Sequence, residues 1–288
     1  MDKHFLITGA TGFLGSNLVK ELFLNKIKLS IVIRPESSIA RLGSISHNLN
    51  FVLTDNLDLF FRENKIDGVI HLATNYGRKG EDLNDIINSN LVFPVKLINL
   101  AVEHDVRFFI NTDTSLPRNL NAYSLSKAQF KDWLKQVSGS LKIVNIVPEY
   151  FYGPNDDDTK FITSIINKLE ENADFIDFTS GIQQRDFIYI DDIISAYMCI
   201  IKNIEDLDLY SEIPVGTSST ISLRSLVELI KGFYQHKKTK LNFGKLPIRQ
   251  GEIMESKANI TILKSMGWFP VVGIEKGIQK IVDLKSKK

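Results

Sequence analysis

A glycine-rich turn near the N-terminus constrains the fold more than any other feature of this chain. The apolar run 5–8 is followed by three glycines in the spacing G-x-x-G-x-x-G, and the segment 16–24 has a helical pattern. Glycine lets the backbone turn tightly and approach a pyrophosphate at a helix N-terminus, so this layout predicts a dinucleotide-binding βα unit. A glycine-rich loop without a ligand is the alternative at this point. The predicted cofactor contacts in this turn are Gly9, Thr11, Gly12, Phe13, Leu14 and Gly15.

Apolar runs alternate with helical patterns through the first half of the chain. The predicted strands lie at 5–8, 29–34, 51–55, 68–74, 106–112 and 142–147, and the predicted helices at 16–24, 85–104 and 124–137. This alternation predicts an α/β protein with a Rossmann-like, doubly wound parallel sheet. Beyond about residue 150 the alternation weakens. We therefore predict a cofactor-binding Rossmann domain at 1–147, rejoined by about 182–215, and a smaller mixed α/β substrate lobe within 148–288.

The composition restricts the class of partner. The 288 residues are 43% hydrophobic and carry a net charge of +1, without a basic stripe interleaved with aromatic residues, so nucleic acid is not an expected partner. The first apolar run is broken by Thr8 and Gly9 and is interpreted as a buried strand rather than a signal peptide. No stretch approaches the length needed to cross a bilayer, and the five histidines lack ligand spacing. These features predict a cytoplasmic protein without a membrane segment or metal site.

A tyrosine and a lysine on one helix form the main catalytic candidate. Tyr123 and Lys127 are four residues apart, so they share a helix face. A phenol beside an ammonium group changes charge more readily than a phenol alone, which makes Tyr123 a candidate proton donor or acceptor. The Tyr-x-x-x-Lys pattern is common by itself, and its significance comes from the glycine-rich turn that precedes it.

Taken together, these motifs resemble the extended short-chain dehydrogenase/reductase superfamily, which modifies nucleotide-activated sugars. The matching segments are 8–15, 71–74, Tyr123 with Lys127, 152–154, 185–192, 258–259 and 266–270. Within the superfamily the chain is most similar to the CDP-abequose and CDP-paratose synthases, which reduce a 4-keto deoxysugar. The segments that carry this narrower similarity are 71–77, 111–113 and 181–187.

The resemblance implies roles for individual residues. Thr112 would hold the substrate carbonyl, Tyr123 would protonate the developing alkoxide, and Lys127 would lower the tyrosine pKa and bind the cofactor ribose. Leu72 and Ala73 would also contact the cofactor. The plainer alternatives are a strand-end capping threonine and a solvated helix lysine.

The end of the second predicted strand bears on the choice between NAD and NADP. An acidic residue there binds the ribose 2′-hydroxyl, whereas an arginine favours a 2′-phosphate. Arg34 therefore favours NADP(H), while the nearby Glu36 leaves NAD(H) open. The resemblance places Asp55 against the adenine, and a turn aspartate is the alternative.

The same resemblance implies residues for a nucleotide-sugar substrate. Arg185 and Arg249 match the arginines that hold the sugar-nucleotide pyrophosphate, to which a guanidinium makes charge-assisted bonds. Either arginine could instead be a surface ion-pair residue. Asn75, Tyr76 and Glu149 are candidates for lining the hexose.

These observations favour one function over two others. Asp113-Thr114 lacks the Asp-Glu pair of the 4,6-dehydratases, which need the second carboxylate for elimination. This ranks a dehydratase low, and the resemblance implies an NADPH-dependent 4-ketoreductase acting on a CDP- or dTDP-linked 6-deoxy or 3,6-dideoxy-4-ketohexose, with a product used for O-antigen or other surface polysaccharide. An NAD-dependent nucleotide-sugar 4-epimerase and a non-catalytic NADP-sensing protein are the alternatives. The resemblance also implies a homodimer.

Overall fold

The computed structural model describes residues 3–78, 80–249 and 251–286, and the chain divides into two compact units. The first unit comprises Met1–Val147 with Tyr197–Ile213, and the second comprises Pro148–Ala196 with Pro214–Lys288. The strands are β1 (His4–Thr8), β2 (Lys28–Ile33), β3 (Asn50–Leu53), β4 (Gly68–His71), β5 (Phe108–Thr112), β6 (Lys142–Pro148), β7 (Tyr150–Tyr152), β8 (Phe175–Asp177), β9 (Gln184–Arg185), β10 (Phe187–Tyr189), β11 (Tyr210–Val215), β12 (Ile221–Ser222), β13 (Lys240–Asn242) and β14 (Glu255–Ser256).

Ten α-helices alternate with these strands in the described part of the chain. They are α1 (Phe13–Leu24), α2 (Leu57–Glu63), α3 (Leu83–Ile87), α4 (Phe93–Glu103), α5 (Ala122–Val137), α6 (Phe161–Glu170), α7 (Ile190–Lys202), α8 (Leu223–Gly232), α9 (Thr261–Ser265) and α10 (Ile274–Lys285). A π-helical turn at Asn88–Val92 makes α3 and α4 one continuous helical run, and short 3₁₀ turns lie at Ala40–Asn48, Thr54–Asn56 and Ile204–Asp206.

The first unit contains a seven-stranded sheet in the order β11-β6-β5-β4-β1-β2-β3. The strands from β1 to β6 pair in parallel, with Ile7 of β1 facing Ile31 of β2 and Ile70 of β4. Both neighbours of β1 follow it in the chain, so the strand order reverses at β1, which is where open α/β sheets bind ligands. The predicted doubly wound α/β fold is confirmed. The fourth strand ends at His71, three residues earlier than predicted.

The helical run beside this sheet corrects one expectation. Leu83–Glu103 has 21 residues, and an 18-residue window within it reaches a mean hydropathy of 1.2, enough by length and composition to cross a membrane, so the prediction that no stretch approaches this length is wrong. Its apolar character has a source within the fold. Leu97 and Ile98 are buried in the same hydrophobic cluster as Phe109 and Phe130. One side of this run therefore forms core, as in many helices of α/β proteins.

The second unit combines short strand pairs with helices. Strand β7 pairs with β10, β8 pairs with β13, and β9 lies between β12 and β14. Two buried aspartates hold its loops. Asp186 accepts hydrogen bonds from the backbone N–H groups of Thr217, Ser218 and Ala258, and Asp192 accepts from those of residues 271 and 272. The motif at 185–192 thus has a structural role in this unit.

Candidate active site

The glycine-rich turn forms a cradle between β1 and α1. Gly9 has φ of +70°, and a Cβ there would lie 2.4 Å from the backbone nitrogen of Ala73. A Cβ on Gly15 would lie 2.1 Å from the carbonyl oxygen of Gly9, so neither position admits a side chain without movement. Gly12 is the N-cap of α1, and the first turn carries no acidic residue. The positive end of the helix dipole at this N-terminus therefore suits an anion such as a pyrophosphate.

A buried threonine joins the carboxyl ends of β1 and β4. Thr8 Oγ1 accepts hydrogen bonds from the backbone N–H groups of Leu72 (3.3 Å) and Ala73 (3.2 Å). The same atom is 2.7 Å from His71 Nδ1. With both lone pairs of its oxygen engaged, the Thr8 hydroxyl donates to Nδ1, and burial lowers the pKa of His71 well below its usual value, so the ring is neutral. Leu72 and Ala73, two predicted cofactor contacts, are thereby fixed beside Gly9.

Tyr123 and Lys127 lie in the first turns of α5 and are both buried. The helix begins at a capping box in which Asn121 accepts a hydrogen bond from the N–H of Ser124 at 2.8 Å. The Tyr123 ring packs against Tyr76, with ring centroids 4.9 Å apart, and the Arg78 guanidinium lies 5.0 Å from the centroid of Tyr76. Tyr76, a predicted substrate residue, is therefore next to the candidate proton donor.

Burial shifts the pKa values of Tyr123 and Lys127 in opposite directions. Burial, followed by the neighbouring Tyr76, raises the pKa of Tyr123, while a hydrogen bond with Thr114 and the charge of Arg78 lower it. Burial lowers the pKa of Lys127 to about 8, and Asp113 opposes this. We expected Lys127 to lower the tyrosine pKa, whereas in the structure the pKa-lowering contacts come from Thr114 and Arg78. Tyr123 is consequently a protonated phenol at neutral pH.

Thr112 lies at the end of β5, as predicted, and its hydroxyl has a buried partner. Its Oγ1 is 2.6 Å from the phenol oxygen of Tyr197. Asp113, the next residue, is buried and accepts a hydrogen bond from Asn145 Nδ2 at 2.9 Å, and its carboxylate lies 3.8 Å from Lys131 Nζ. The Asp113 carboxylate therefore contacts an amide group from β6 and an ammonium group from α5.

Asn90 is a buried residue of this region that sequence reasoning missed. From the π-helical turn its Oδ1 accepts hydrogen bonds from Asn75 N–H (2.8 Å) and the Thr74 hydroxyl (3.2 Å). Its Nδ2 donates to the Asn75 carbonyl (2.8 Å) and to Ser126 Oγ (3.0 Å), and Ser126 in turn donates to the Tyr123 carbonyl. Asn90 therefore fixes the loop after β4 to the helix that carries Tyr123. Its partners lie between 15 and 36 residues away in the sequence, so no local pattern indicates this role.

The predicted cofactor contacts after β2 and β3, Arg34 and Asp55, are both exposed. Arg34 follows β2 directly and pairs with Glu36 at 3.0 Å. Its backbone N–H donates to Ser37 Oγ, which holds the chain in a tight turn. Asp55 lies in the 3₁₀ turn after β3 and accepts a hydrogen bond from Thr54. An exposed ion pair is weakly held, so the Arg34 guanidinium can exchange Glu36 for another anion.

In the second unit, the candidate substrate residues differ in their burial. Arg185 is only 3% exposed and pairs with Glu252 at 2.6 Å. Glu149 is buried and accepts a hydrogen bond from the Ser256 hydroxyl at 2.7 Å. Arg249 is exposed, and its carbonyl accepts a hydrogen bond from the N–H of Glu252. Glu252 is thus a carboxylate that touches Arg185 directly and contacts the backbone of Arg249.

The chain matches a known family over most of its length. A family model described as the NAD dependent epimerase/dehydratase family matches residues 5–216. The chain belongs to this family. It is also 32% identical to the CDP-abequose synthase of Salmonella typhimurium over 295 residues, which covers 98% of both proteins. The predicted family is therefore confirmed, and the protein is an NAD(P)-dependent oxidoreductase that uses a nicotinamide cofactor.

Solved structures of the epimerase/dehydratase family have the same fold. The UDP-glucose 4-epimerase of Thermotoga maritima, determined with UDP-glucose, gives a TM-score of 0.84 at 20% identity and covers 99% of each chain. The UDP-glucose 4-epimerase of Thermus thermophilus, determined with NAD, gives a TM-score of 0.80 at 21% identity and covers 97% of this chain and 98% of that one. At these identities the similarity establishes the fold.

The buried Lys127 predicts how the stability of this family member depends on pH. Because its pKa falls from 10.5 to about 8 on folding, the folded protein binds fewer protons than the unfolded chain between these values. Stability from this group therefore rises with pH through that window. We expect Lys127→Met to raise the free energy of unfolding at pH 7 by on the order of 2 kcal/mol, with the gain shrinking toward pH 10.5.

Urea unfolding of wild type and Lys127→Met at a series of pH values measures this gain. Lys135→Met removes an exposed ammonium group from the same helix and is the matched control. A gain for Lys127→Met that is constant from neutral to alkaline pH would contradict the assignment of a lowered pKa to Lys127.

Proposed function

We propose that the protein reduces the 4-keto group of a nucleotide-linked deoxyhexose with NADPH. The observation that carries this proposal is the placement of Tyr123, a buried phenol that packs against Tyr76 and lies one helical turn before the buried Lys127. Ketone reduction needs a proton donor at the start of the reaction, whereas oxidation of an alcohol needs a base. The similarity to CDP-abequose synthase over 98% of the chain supports the same reaction class and a deoxysugar substrate.

The residues of the first unit fit a dinucleotide cofactor. The cradle of Gly9, Gly12 and Gly15 leaves room for backbone to approach a pyrophosphate, and the α1 N-terminus offers it N–H groups. Bound NADPH supplies the hydride. Lys127 would bind the ribose of this cofactor, and Arg34 would exchange its ion pair with Glu36 for one with the 2′-phosphate. The remaining proposed cofactor contacts are Thr11, Phe13, Leu14, Asp55, Leu72, Ala73 and Tyr123.

At the reacting carbon, Tyr123 and Thr112 act on one oxygen atom. As hydride adds to C4, negative charge develops on the carbonyl oxygen, and the Tyr123 phenol transfers its proton there. The Thr112 hydroxyl donates a hydrogen bond to the same oxygen. The Thr114 hydrogen bond and the Arg78 charge favour the phenolate that remains, since both lower the pKa of Tyr123.

We assign the nucleotide-sugar diphosphate to the arginines of the second unit. Arg185 is presented as a buried, desolvated guanidinium, for which a diphosphate is a stronger partner than the single carboxylate of Glu252. Arg249 supplies a second guanidinium from an exposed loop. Asn75, Tyr76 and Glu149 remain the proposed hexose contacts.

The structure also bears on the elimination chemistry of the 4,6-dehydratases. The Asp113 carboxylate accepts a hydrogen bond from Asn145 and lies 3.8 Å from Lys131 Nζ, so protein groups already engage it in place of a leaving hydroxyl. The neighbouring Thr114 has no carboxylate to act as a base. These two residues support reduction over dehydration.

We further propose that the enzyme is a cytoplasmic homodimer that serves O-antigen or other surface-polysaccharide synthesis. Leu83, Val92 and Trp133 are each more than half exposed on the α3–α4 run and α5 of the first unit. Large apolar side chains on two neighbouring helices favour contact with a second copy of the chain.

Loss of NADPH absorbance on mixing with a ketosugar tests the function directly. CDP-, dTDP- and GDP-linked 4-keto-6-deoxy and 3,6-dideoxy sugars are offered separately to the purified protein. Stoichiometric consumption of NADPH with one nucleotide series is the expected result. Conversion of a nucleotide sugar to its C4 epimer without net consumption, with NAD bound to the purified protein, would overturn the reductase proposal in favour of a 4-epimerase.

Arg34 provides a separate test of the cofactor. We expect Arg34→Ala to raise the Michaelis constant for NADPH about tenfold and to leave that for NADH nearly unchanged, because only NADPH carries the 2′-phosphate. Steady-state kinetics with both cofactors measure the effect. Glu36→Gln removes the ion-pair partner without removing the guanidinium and is the matched control. Equal changes for both cofactors in Arg34→Ala would exclude this role.

A further inference from the structure

Tyr197 is a buried phenol next to the proposed active site that has no role in the chemistry described so far. It lies on α7, where the chain returns to the first unit, and its side chain is fully buried. Its hydroxyl oxygen lies 2.6 Å from Thr112 Oγ1, 85 residues away in sequence. This short contact links a core residue to the hydroxyl that is proposed to hold the substrate carbonyl.

Burial determines which of the two hydroxyls donates. A buried phenol without an acceptor for its proton costs free energy, and the acceptor in this structure is Thr112 Oγ1. Burial also raises the pKa of Tyr197, so the phenol keeps its proton at neutral pH. A phenol is a stronger donor than an aliphatic alcohol, and a threonine oxygen has two lone pairs that can accept. The favoured arrangement is therefore Tyr197 O–H donating to Thr112.

This arrangement has a consequence for the threonine proton. Once one lone pair of Thr112 Oγ1 accepts from Tyr197, the Thr112 O–H is directed away from the phenol. Hydrogen bonds in a chain polarise one another, so a threonine that accepts from a phenol becomes a better donor. The half-buried position of Thr112 at the carboxyl end of β5 leaves that proton on the side where ligands of such sheets bind.

We propose that Tyr197 is a positioning residue that orients the Thr112 hydroxyl to donate to the substrate carbonyl oxygen. The phenol touches neither substrate nor cofactor and acts only through Thr112. The identity of the acceptor rests on the proposed ketoreductase function. A side chain needed only to fill the core would use the ring of Tyr197 and not its hydroxyl, and this difference makes the role measurable.

A double-mutant cycle between Tyr197→Phe and Thr112→Val tests the proposal. Phenylalanine keeps the ring and removes the hydroxyl. We expect Tyr197→Phe to lower kcat about fivefold, the worth of one neutral hydrogen bond, with unchanged Michaelis constants for the nucleotide sugar and NADPH. In the Thr112→Val background, Tyr197→Phe should have no further effect on kcat, because the group it orients is gone.

Urea unfolding of the same variants, together with a control variant, distinguishes an effect on folding from an effect on turnover. Thr112→Val leaves the Tyr197 phenol without its acceptor, so the double variant should unfold at a higher urea concentration than Thr112→Val alone. Tyr210→Phe removes a half-buried phenol hydroxyl that contacts Glu212 in the same unit and is the matched control, with unchanged kcat expected. This control shows whether loss of any tyrosine hydroxyl in the unit lowers turnover.

Three results would overturn the proposal, and they distinguish the positioning role from the proposed function. Full kcat in Tyr197→Phe, or an equal loss of kcat in both backgrounds, would remove the positioning role while leaving the ketoreductase in place. A wild-type enzyme that reduces none of the offered ketosugars would overturn the proposed function, and with it the acceptor assigned to Thr112.

Discussion

Replacing Tyr123 with phenylalanine is expected to lower turnover by about a hundredfold or more while cofactor binding is retained. The phenol is the only group of the proposed mechanism that delivers a proton to the carbonyl oxygen, and phenylalanine cannot replace it. The ring packing against Tyr76, at 4.9 Å between centroids, is preserved in the variant. Loss of turnover would therefore report on the hydroxyl and not on the packing of α5.

Single-turnover reduction and direct NADPH titration measure the two parts of this prediction separately. NADPH should bind Tyr123→Phe within about twofold of its wild-type affinity, because the substitution leaves the glycine-rich turn and Lys127, the proposed cofactor contacts, unchanged. Thr114→Val is an informative companion variant, since it removes the hydroxyl that lowers the Tyr123 pKa and leaves the phenol itself. Wild-type turnover in Tyr123→Phe would exclude Tyr123 from the chemistry, whatever the effect of Thr114→Val.

Local patterns were sufficient to predict the sheet and the glycine-rich turn between β1 and α1. The β1–turn–α1 unit is encoded within about twenty consecutive residues, because apolar runs, glycines and helical periodicity all act over short sequence distances. The glycine at position 9 is required there because φ is +70° and Ala73 occupies the space of a Cβ. Their separation of four residues likewise predicted that Tyr123 and Lys127 lie on one face of a helix, which is α5 in the structure.

Contacts between distant residues could not be predicted in this way. Thr112 pairs with Tyr197 across 85 residues, and Asn90 joins the loop after β4 to α5 through Ser126. Neither contact has a local sequence signal, because each depends on how separate elements pack. The pKa of Tyr123 could not be predicted for the same reason. Sequence spacing indicated a lowering by Lys127, but in the structure burial has the largest effect and raises the pKa of the phenol.

The 185–192 motif illustrates a related difficulty. Family resemblance assigned a substrate role to Arg185, and the structure shows a buried guanidinium already paired with Glu252. The next residue, Asp186, was matched to the family without a role. Its function became clear only from the loops that fold around it, which come from positions 217–218 and 258.

Asp186→Ala is expected to lower the free energy of unfolding by about 3 kcal/mol or more. Asp186 Oδ1 accepts from the Thr217 N–H (2.8 Å) and hydroxyl (2.6 Å), and Oδ2 accepts from the N–H groups of Ser218 (2.9 Å) and Ala258 (3.2 Å). Removal of the carboxylate leaves several donors unsatisfied in a fully buried place, each at a cost of about 1–3 kcal/mol before water enters. A Cβ at Gly216 would lie 2.5 Å from Oδ2, so the loop is closely fitted to this side chain.

Urea unfolding measures the free energy of unfolding for Asp186→Ala, Asp186→Asn and Asp191→Ala. Comparison of the three variants distinguishes the loss of a buried, hydrogen-bonded carboxylate from the loss of a negative charge. Asparagine keeps the volume of Asp186 but turns an NH₂ group toward N–H donors, so it should also destabilise the protein. Asp191 lies in the same motif and makes an exposed ion pair with Lys280 at 3.1 Å, so Asp191→Ala should change the free energy of unfolding by less than about 1 kcal/mol. Equal effects of Asp186→Ala and Asp191→Ala would mean that the loops at 217–218 and 258 are held by other contacts. A much larger loss of free energy of unfolding for Asp186→Ala would establish that this aspartate stabilises the second unit through its hydrogen bonds. Asp186 would then lie beside Arg185 for a structural reason, and no contact with substrate would be needed to explain its position.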